Sequence, residues 1–274
     1  MRSVNLHHRP AEKGETQNWR NLEMTKLKNW LKKEAKETRI LLKCIPAPVF
    51  TLFVISIVAM NLLANKLIVN ESWIALDAGI LCSWIAFLAM DIMVRRFGPK
   101  ASTKIAVVGL FFNVIVAAVF ALAALIPGDW ALNDYATATS WWVIGASTAA
   151  FLVSAIANNL MYWIIRRAFK KNPEGVGAHI MSSWVSTALG QFIDNLTFAL
   201  IFTLPFNASI GVSISVGGLF GFAAAGAVVE LICEVIFTPV GWRISERWRR
   251  QGIGIEYLIA TQQIKGEVTW EGNS

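Results

Sequence analysis

The chain has 274 residues, of which 55% are hydrophobic and 16% charged, with a mean hydropathy of +0.51 and a formal net charge of +7. A soluble domain carries about 25% charged residues, so a soluble globular reading is excluded and one integral-membrane domain accounts for the length. The positive charge is concentrated at one end: residues 1–44 hold 11 Lys/Arg against 5 Asp/Glu. Such a segment points to anionic lipid headgroups, and no basic folded face or known module points to nucleic acid.

In chain order, the polar N-terminus comes first. Its layout is wrong for a cleavable signal peptide. Over residues 19–38, Leu27, Trp30, Leu31 and Ala35 share one helical face, while Lys26, Lys28, Lys32, Lys33 and Lys36 fill most of the remainder. Two readings are open: a basic helix lying on the cytoplasmic leaflet, or a disordered solubilising tail.

Six apolar runs follow, at 45–69, 73–94, 102–126, 140–165, 179–204 and 212–242. A helix needs about 20 apolar residues to cross a bilayer. The expected fold is therefore all-α: a polytopic membrane protein with six transmembrane helices over 45–242, a basic cytoplasmic tail at 1–44 and a C-terminal tail at 243–274. Arg95, Arg96, Lys100 and Lys104 join spans two and three; Arg166, Arg167, Lys170 and Lys171 join spans four and five; Arg243, Arg247, Arg249 and Arg250 follow span six. The opposite loops hold Lys66, Glu71, Asp129 and Asp134. Positive charge stays inside, which predicts a cell-membrane protein with both termini cytoplasmic. The Asn207-Ala208-Ser209 sequon falls on the outer side and is too short a motif to carry weight.

Polar residues inside such spans are costly, so they line a path, a pocket or an internal pair. Span one supplies Asn61 and Asn65 on one stripe. Span two has Asp77, Trp84 and Asp91 at sevenfold spacing, which shares a helical face. Arg95 follows Asp91 by four, so Asp91 either pairs with it or faces a site; Asp77, near the outer end, reads as solvated. Span four aligns Ser147, Ser154, Asn158 and Tyr162, with Asn159 beside them. Span five aligns Ser183, Thr187, Gln191 and Asp194, with Asn195 adjacent. This strip either contacts a ligand or glues helices together.

Span six carries Gly217, Gly221 and Ala225, a spacing that lets helix backbones approach closely. Glu230 and Glu234 lie four apart further along. Two carboxylates this close in a low-dielectric setting do not both ionise freely. They serve proton coupling, or Glu234 pairs with Arg95, Arg166 or Arg167 near the inner surface.

Cys44, Cys82 and Cys233 form no metal or redox spacing. His179 is the only histidine of the membrane domain, His7 and His8 being in the tail, so a multi-histidine metal site is not expected. There is no glycine-rich phosphate loop, no zinc-protease motif and no nucleophile elbow. The reading is a non-enzyme without a cofactor, and any use of ATP requires an ATPase partner chain.

The stretch Phe87-Leu88-Ala89-Met90-Asp91-Ile92-Met93-Val94-Arg95-Arg96-Phe97-Gly98 resembles the signature "acidic residue, then Arg, then Phe-Gly" of the VUT family of vitamin uptake transporters, also called queuosine precursor transporters. Asn61 and Asn65 resemble that family's early asparagine motif. Ser182-Ser183, Gly190-Gln191, Asp194-Asn195 and Phe198 resemble its span-five stretch, and Thr238-Pro239 also fits. The chain departs at Gln191 and Asn195, where relatives tend to carry Asn and Thr, and at Glu230, where many carry a basic residue.

The resemblance implies a six-helix fold similar to the substrate-binding subunits of energy-coupling-factor importers. It also implies uptake of 7-deazaguanine queuosine precursors, in the cyano or aminomethyl form. The residue chemistry is compatible with a flat heterocycle, because a carboxylate accepts two adjacent N–H groups in bidentate fashion and Trp84 or Trp184 can stack.

The expectation is thus an importer of a small planar nitrogen heterocycle. Asn61, Asn65, Trp84, Asp91, Asn158, Gln191, Asp194 and Asn195 would bind it, with Glu230 and Glu234 as proton-coupling groups. Alternatives are a substrate-binding subunit for another vitamin-like nutrient that depends on an ATPase module, and, in another class, a membrane scaffold or an intramembrane enzyme using Glu230, Glu234 and His179.

Overall fold

The computed structural model describes residues 13–64, 67–71, 74–123, 126, 138–203 and 216–265. Asn65, Lys66, Asp129, Asp134, the sequon at 207–209, His7 and His8 lie outside these residues. The described elements are helices α1 (Lys13–Cys44), α2 (Ala47–Leu63), α3 (Ile80–Phe97), α4 (Pro99–Ala123), α5 (Ala138–Ala168), α6 (Val176–Phe198), α7 (Val216–Arg250) and α8 (Ile255–Ala260). An antiparallel hairpin, β1 (Leu67–Glu71) and β2 (Ile74–Asp77), joins α2 to α3.

Helices α2 to α7 overlie the six apolar runs. Three of the described helices are long and apolar enough to cross a membrane by length and composition: Pro99–Ala123, Ile144–Ala168 and Gly217–Arg250. The segments Asn21–Cys44 and Ala47–Leu63 meet that test only together, as a pair bent by 112°. The remaining helices have identifiable reasons for falling short. α2 is only 17 residues long, because the run at 45–69 turns into β1. α3 starts at Ile80 rather than near 73, because β2 takes Ile74–Asp77. α6 is diluted by its buried Ser182, Ser183, Ser186, Thr187 and Gln191.

Local chemistry sets the joints. Gly98 ends α3 with φ of 87°, a conformation that favours glycine, and Pro99 opens α4, where a missing N–H costs nothing. The turn into α3 is closed by Asp77, whose Oδ1 accepts from the Gly79 N–H at 2.7 Å. Inside α7, Pro239 withholds one donor from the helix, and the neighbouring Thr238 hydroxyl donates to Glu234 O at 2.6 Å.

α3 lies at the centre, packed against α2, α4, α5 and α7, while α6 fits between α5 and α7. Gly190 permits that fit: a Cβ there would stand 2.9 Å from Phe87 and 3.0 Å from Asn158. The close approach of α7 runs through the buried Ala223, Gly226 and Ala227, because Gly217 and Gly221 are exposed. The stripe of small residues expected at Gly217, Gly221 and Ala225 is therefore displaced around the helix.

The apolar residues are arranged inside out. Phe111, Ile115, Val119 and Leu122 of α4, Val153 and Leu160 of α5, and Val228, Ile232 and Ile236 of α7 are exposed. Asp91, Asn158, Gln191, Glu230 and Glu234 are buried. In water this would forfeit burial of apolar surface; in a bilayer it places the apolar faces against lipid.

α1 meets the body at its C-terminal half. Glu34 and Glu37 bind Lys100 at 2.7 and 3.0 Å and Lys104 at 2.8 and 2.5 Å. Ile40, Leu41 and Ile45 are buried, while Leu22, Met24, Leu27, Trp30 and Leu31 remain exposed.

Candidate functional site

The polar groups of α3, α5, α6 and α7 face one another as a column along the bundle. Its lower part joins one side chain from each helix. Asp91 Oδ1 accepts from Asn158 Nδ2 at 3.0 Å, and Asp91 Oδ2 meets Ser183 Oγ at 2.5 Å. The same Ser183 Oγ lies 2.7 Å from Glu234 Oε1. A serine hydroxyl has one proton to give, so it donates to one carboxyl oxygen only. The other short contact is a hydrogen bond only if one of the two carboxyls carries a proton and donates it to the serine.

Among the described residues, no Lys or Arg forms an ion pair with either carboxyl. The two ion pairs considered from sequence do not form. Arg95 turns to Glu246 at 3.1 Å, Ser245 Oγ at 2.8 Å and Glu174 O at 2.9 Å. Arg166 binds Glu174, Pro173 O and Arg95 O, and Arg167 lies over the Trp163 ring at 4.2 Å. Arg95 stands one turn nearer the helix end than Asp91, within reach of the carboxylate of Glu246. Asp91 is filled instead by hydroxyl and amide donors from α5 and α6.

The upper part of the column surrounds a cavity of about 50 Å³. Three carboxyl groups reach it, from Asp77, Asp194 and Glu230, with Ser83, Ser147 and Asn195, and Met60, Phe198 and Phe222 supply apolar walls. Ser154 Oγ donates to Asp194 at 2.9 Å, and Ser83 bonds Glu230. Asn195 sits against Gly226, where a Cβ would come within 2.5 Å of its Nδ2.

Between the two parts, on the same strip of α6, stand Thr187 and Gln191. Both are fully buried, and Thr187 Oγ1 and both polar atoms of the Gln191 amide have no hydrogen-bond partner among the described residues. The same holds for Asn158 Oδ1, Asn195 Nδ2, Glu230 Oε2 and Glu234 Oε2. Buried polar atoms are nearly always satisfied. A run of orphaned donors and acceptors lining one column marks where a polar guest or water belongs.

Some expected members stand apart. Trp84 does not line the cavity: its ring stacks on Phe237 at 4.5 Å and its Nε1 donates to Leu81 O at 3.0 Å. The sevenfold face from Asp77 through Trp84 to Asp91 is broken because Asp77 belongs to β2 and only the last two share a helix. Ser83, not singled out by that spacing, is the residue of the outer turn of α3 that faces Glu230. Asn61 is buried but returns its Nδ2 to Ile57 O at 2.8 Å; its neighbours Met60 and Ala64 line the cavity. Asn159 points away from Asn158, accepting from Ser102 at 2.9 Å and donating to Thr103 at 3.0 Å, and so ties α5 to α4. At the arginine-rich end, Tyr162 Oη and His179 Nδ1 lie 2.5 Å apart. Among the described residues no group of three or more His, Cys, Asp or Glu is placed to hold a metal ion.

A family model described as "Putative vitamin uptake transporter" matches residues 77–244, the segment that holds α3 to α7 and every carboxyl group of the column. No curated protein and no solved structure matches the chain. The matched segment covers more than half of the sequence and the whole polar column, and on that basis the chain belongs to the vitamin uptake transporter family.

Proposed function

We propose that this transporter imports a small planar nitrogen heterocycle, in the first place a 7-deazaguanine precursor of queuosine. The observation that carries the reading is the buried Gln191 amide with neither polar atom satisfied, three residues from Asp194 on the cavity wall. A guanine-type edge presents adjacent N–H donors to the Asp194 carboxylate and a carbonyl to the Gln191 amide. Asn195 extends the polar lining of the cavity and Asn158 lies further down the column; the family's early asparagine motif adds Asn61 and Asn65 to the proposed set.

The cavity of about 50 Å³ holds one or two waters, whereas small-molecule sites run from about 300 Å³ upward. The conformation described is therefore a contracted one, and α6 and α7 must part to admit substrate. Six crossings in the cell membrane, both termini cytoplasmic and a fold similar to energy-coupling-factor binding subunits complete the reading. The tail at 1–44 would lie on anionic headgroups, supported by the exposed Leu27, Trp30 and Leu31 of α1.

A proton shared by the Asp91–Ser183–Glu234 contacts would favour coupling to a proton gradient over dependence on an ATPase partner, with Glu230 relaying to the cavity. The chain acts as a carrier and not as an enzyme, without a cofactor. The test is uptake of labelled cyano- and aminomethyl-deazaguanine by cells expressing the chain or its Asp194→Ala variant. Saturable uptake that the variant lacks is expected; equal uptake with and without the chain overturns the substrate assignment. Collapse of the proton gradient should abolish accumulation, and co-purification with an ATPase would overturn the coupling mode.

A further inference from the structure

Beyond the column, the ends of α3, α5 and α7 and the segment around α8 enclose a second pocket of about 370 Å³. Five arginines line it: Arg95, Arg96, Arg166, Arg167 and Arg249. The carboxylates that reach these arginines are Glu174 and Glu246. Glu246 binds Arg95 at 3.1 Å and Arg249 at 2.6 Å, and Glu174 binds Arg166. Arg95, Arg166 and Arg249 share these two carboxylates, whereas Arg96 and Arg167 reach neither, leaving a surplus of positive charge in a concave site.

The surplus is chemically available. Arg95 has a side chain only 2% exposed, and its Nε has no acceptor in the protein. Arg167 rests on the Trp163 ring with no carboxylate in ion-pair range among the described residues. Arg96 uses Nε on Ile253 O at 2.7 Å. Ordinary solvated loop charge looks different, as in the exposed Lys170 and Lys171.

We propose that this pocket binds a phosphate group carried by an anionic ligand. Planar guanidinium forks match tetrahedral oxyanions and bind them in bidentate fashion, and the volume lies within the range of small-molecule sites, about 300–1,000 Å³. The phosphate belongs either to the headgroup of an anionic phospholipid or to a free phosphorylated solute. The chemistry is the same, and the two sources separate by experiment.

The purified full chain is melted in two settings at matched ionic strength. One is neutral detergent titrated with inorganic phosphate. The other is nanodiscs of phosphatidylcholine with or without phosphatidylglycerol, in buffer free of inorganic phosphate. Binding to the folded state raises Tm by mass action, and a rise in at least one setting is expected. The midpoint of that rise should weaken about tenfold in Arg96→Gln/Arg167→Gln, the loss of one charge-assisted contact, and stay in place in Lys170→Gln/Lys171→Gln, which removes the same charge outside the pocket. Arg167→Gln alone breaks no ion pair and reads the same effect should the double variant fold poorly. A rise with phosphate, with phosphatidylglycerol or with both names the source. No rise in either setting, or an equal weakening in the pocket and loop variants, overturns the proposal.

Discussion

The two parts of the polar column differ in how their atoms are matched. Around Asp91, Asn158, Ser183 and Glu234, four helices supply side chains that bond directly to one another. Around Asp194, Asn195 and Glu230, the helices stand back from a cavity, and the buried Gln191 amide, one turn before Asp194 on α6, finds no partner among the described residues. Side chains bonded across helices fix how those helices pack, although Asn158 Oδ1 and Glu234 Oε2 have no partner among the described residues; polar groups left unmatched around a cavity cost stability unless a guest or water meets them. The contrast separates a part that ties α3, α5, α6 and α7 to one another from a part that faces a cavity and is proposed above to read the substrate.

The largest effect expected from that contrast is at Asp194. Asp194→Ala should bring uptake to background while leaving most of the bundle's stability, because the one protein hydrogen bond recorded for its carboxyl comes from Ser154. Uptake in whole cells together with Tm of the purified variant decides it. A collapse of Tm alongside uptake would move Asp194 into the structural part.

Gln191→Leu sharpens the comparison further. The change removes a donor and an acceptor that satisfy nothing within the protein, so it should leave Tm unchanged or raise it. Uptake should fall about tenfold, the equivalent of roughly 1.4 kcal/mol of lost substrate contact. A helix-gluing amide would give the opposite pair of results, lower stability with uptake retained.

Ser183→Ala acts on the other part. It removes the hydroxyl that separates two carboxyl groups and leaves their oxygens without a mediator. Losing one partner of a buried polar contact costs about 1–3 kcal/mol, visible as a lower Tm. The pH profile of uptake should move as well, since the shared proton loses its bridge. An unchanged profile in a folded variant would detach the network from energy coupling.

How much of this was legible in the sequence depends on the kind of feature. α4, α5 and α7 were read with little error, because long apolar runs and a flanking Gly98-Pro99 leave few alternatives. The hairpin was not, since Leu67-Ile68-Val69 and Ile74-Ala75-Leu76 continue the apolar runs on either side, and a four- or five-residue strand has no length signal against a span end. Asn158, Ser183, Gln191 and Asp194 were recoverable from periodicity, as polar residues on one helical stripe. Their division into matched and unmatched sets was not, because it depends on which residue of another helix stands opposite. Trp84 was misjudged for a related reason. A sevenfold step from Asp91 selects a direction on the helix, and Phe237 of α7 happens to cover that direction while Ser83 turns inward.

The smallest effect lies outside the column, at the clamp of α1 on α4. The Glu34 carboxyl is held below its ordinary value by hydrogen bonds from Lys100 and then Lys104. Glu37 is pushed up by burial, but Lys104 and Lys100 outweigh this and its net shift is also downward. A carboxylate whose value falls on folding contributes stability that is complete above the unfolded value and lost as pH falls through the folded one. The ordinary value here is 4.5, so docking of α1 should be indifferent to pH near neutrality and loosen only on acidification below that point. Of the four side chains only Lys100 is exposed; its pairs, like other surface pairs, contribute little singly and are screened by salt. Hydrogen exchange over residues 30–44 should therefore rise modestly at low pH and at high salt. Glu34→Gln/Glu37→Gln should show the same raised exchange at pH 7 and no further response to acid. Substrate uptake in that variant should stay close to that of the parent chain, because no group of the column touches the clamp; a large loss would make α1 part of the transport machinery and erase the separation between anchor and carrier.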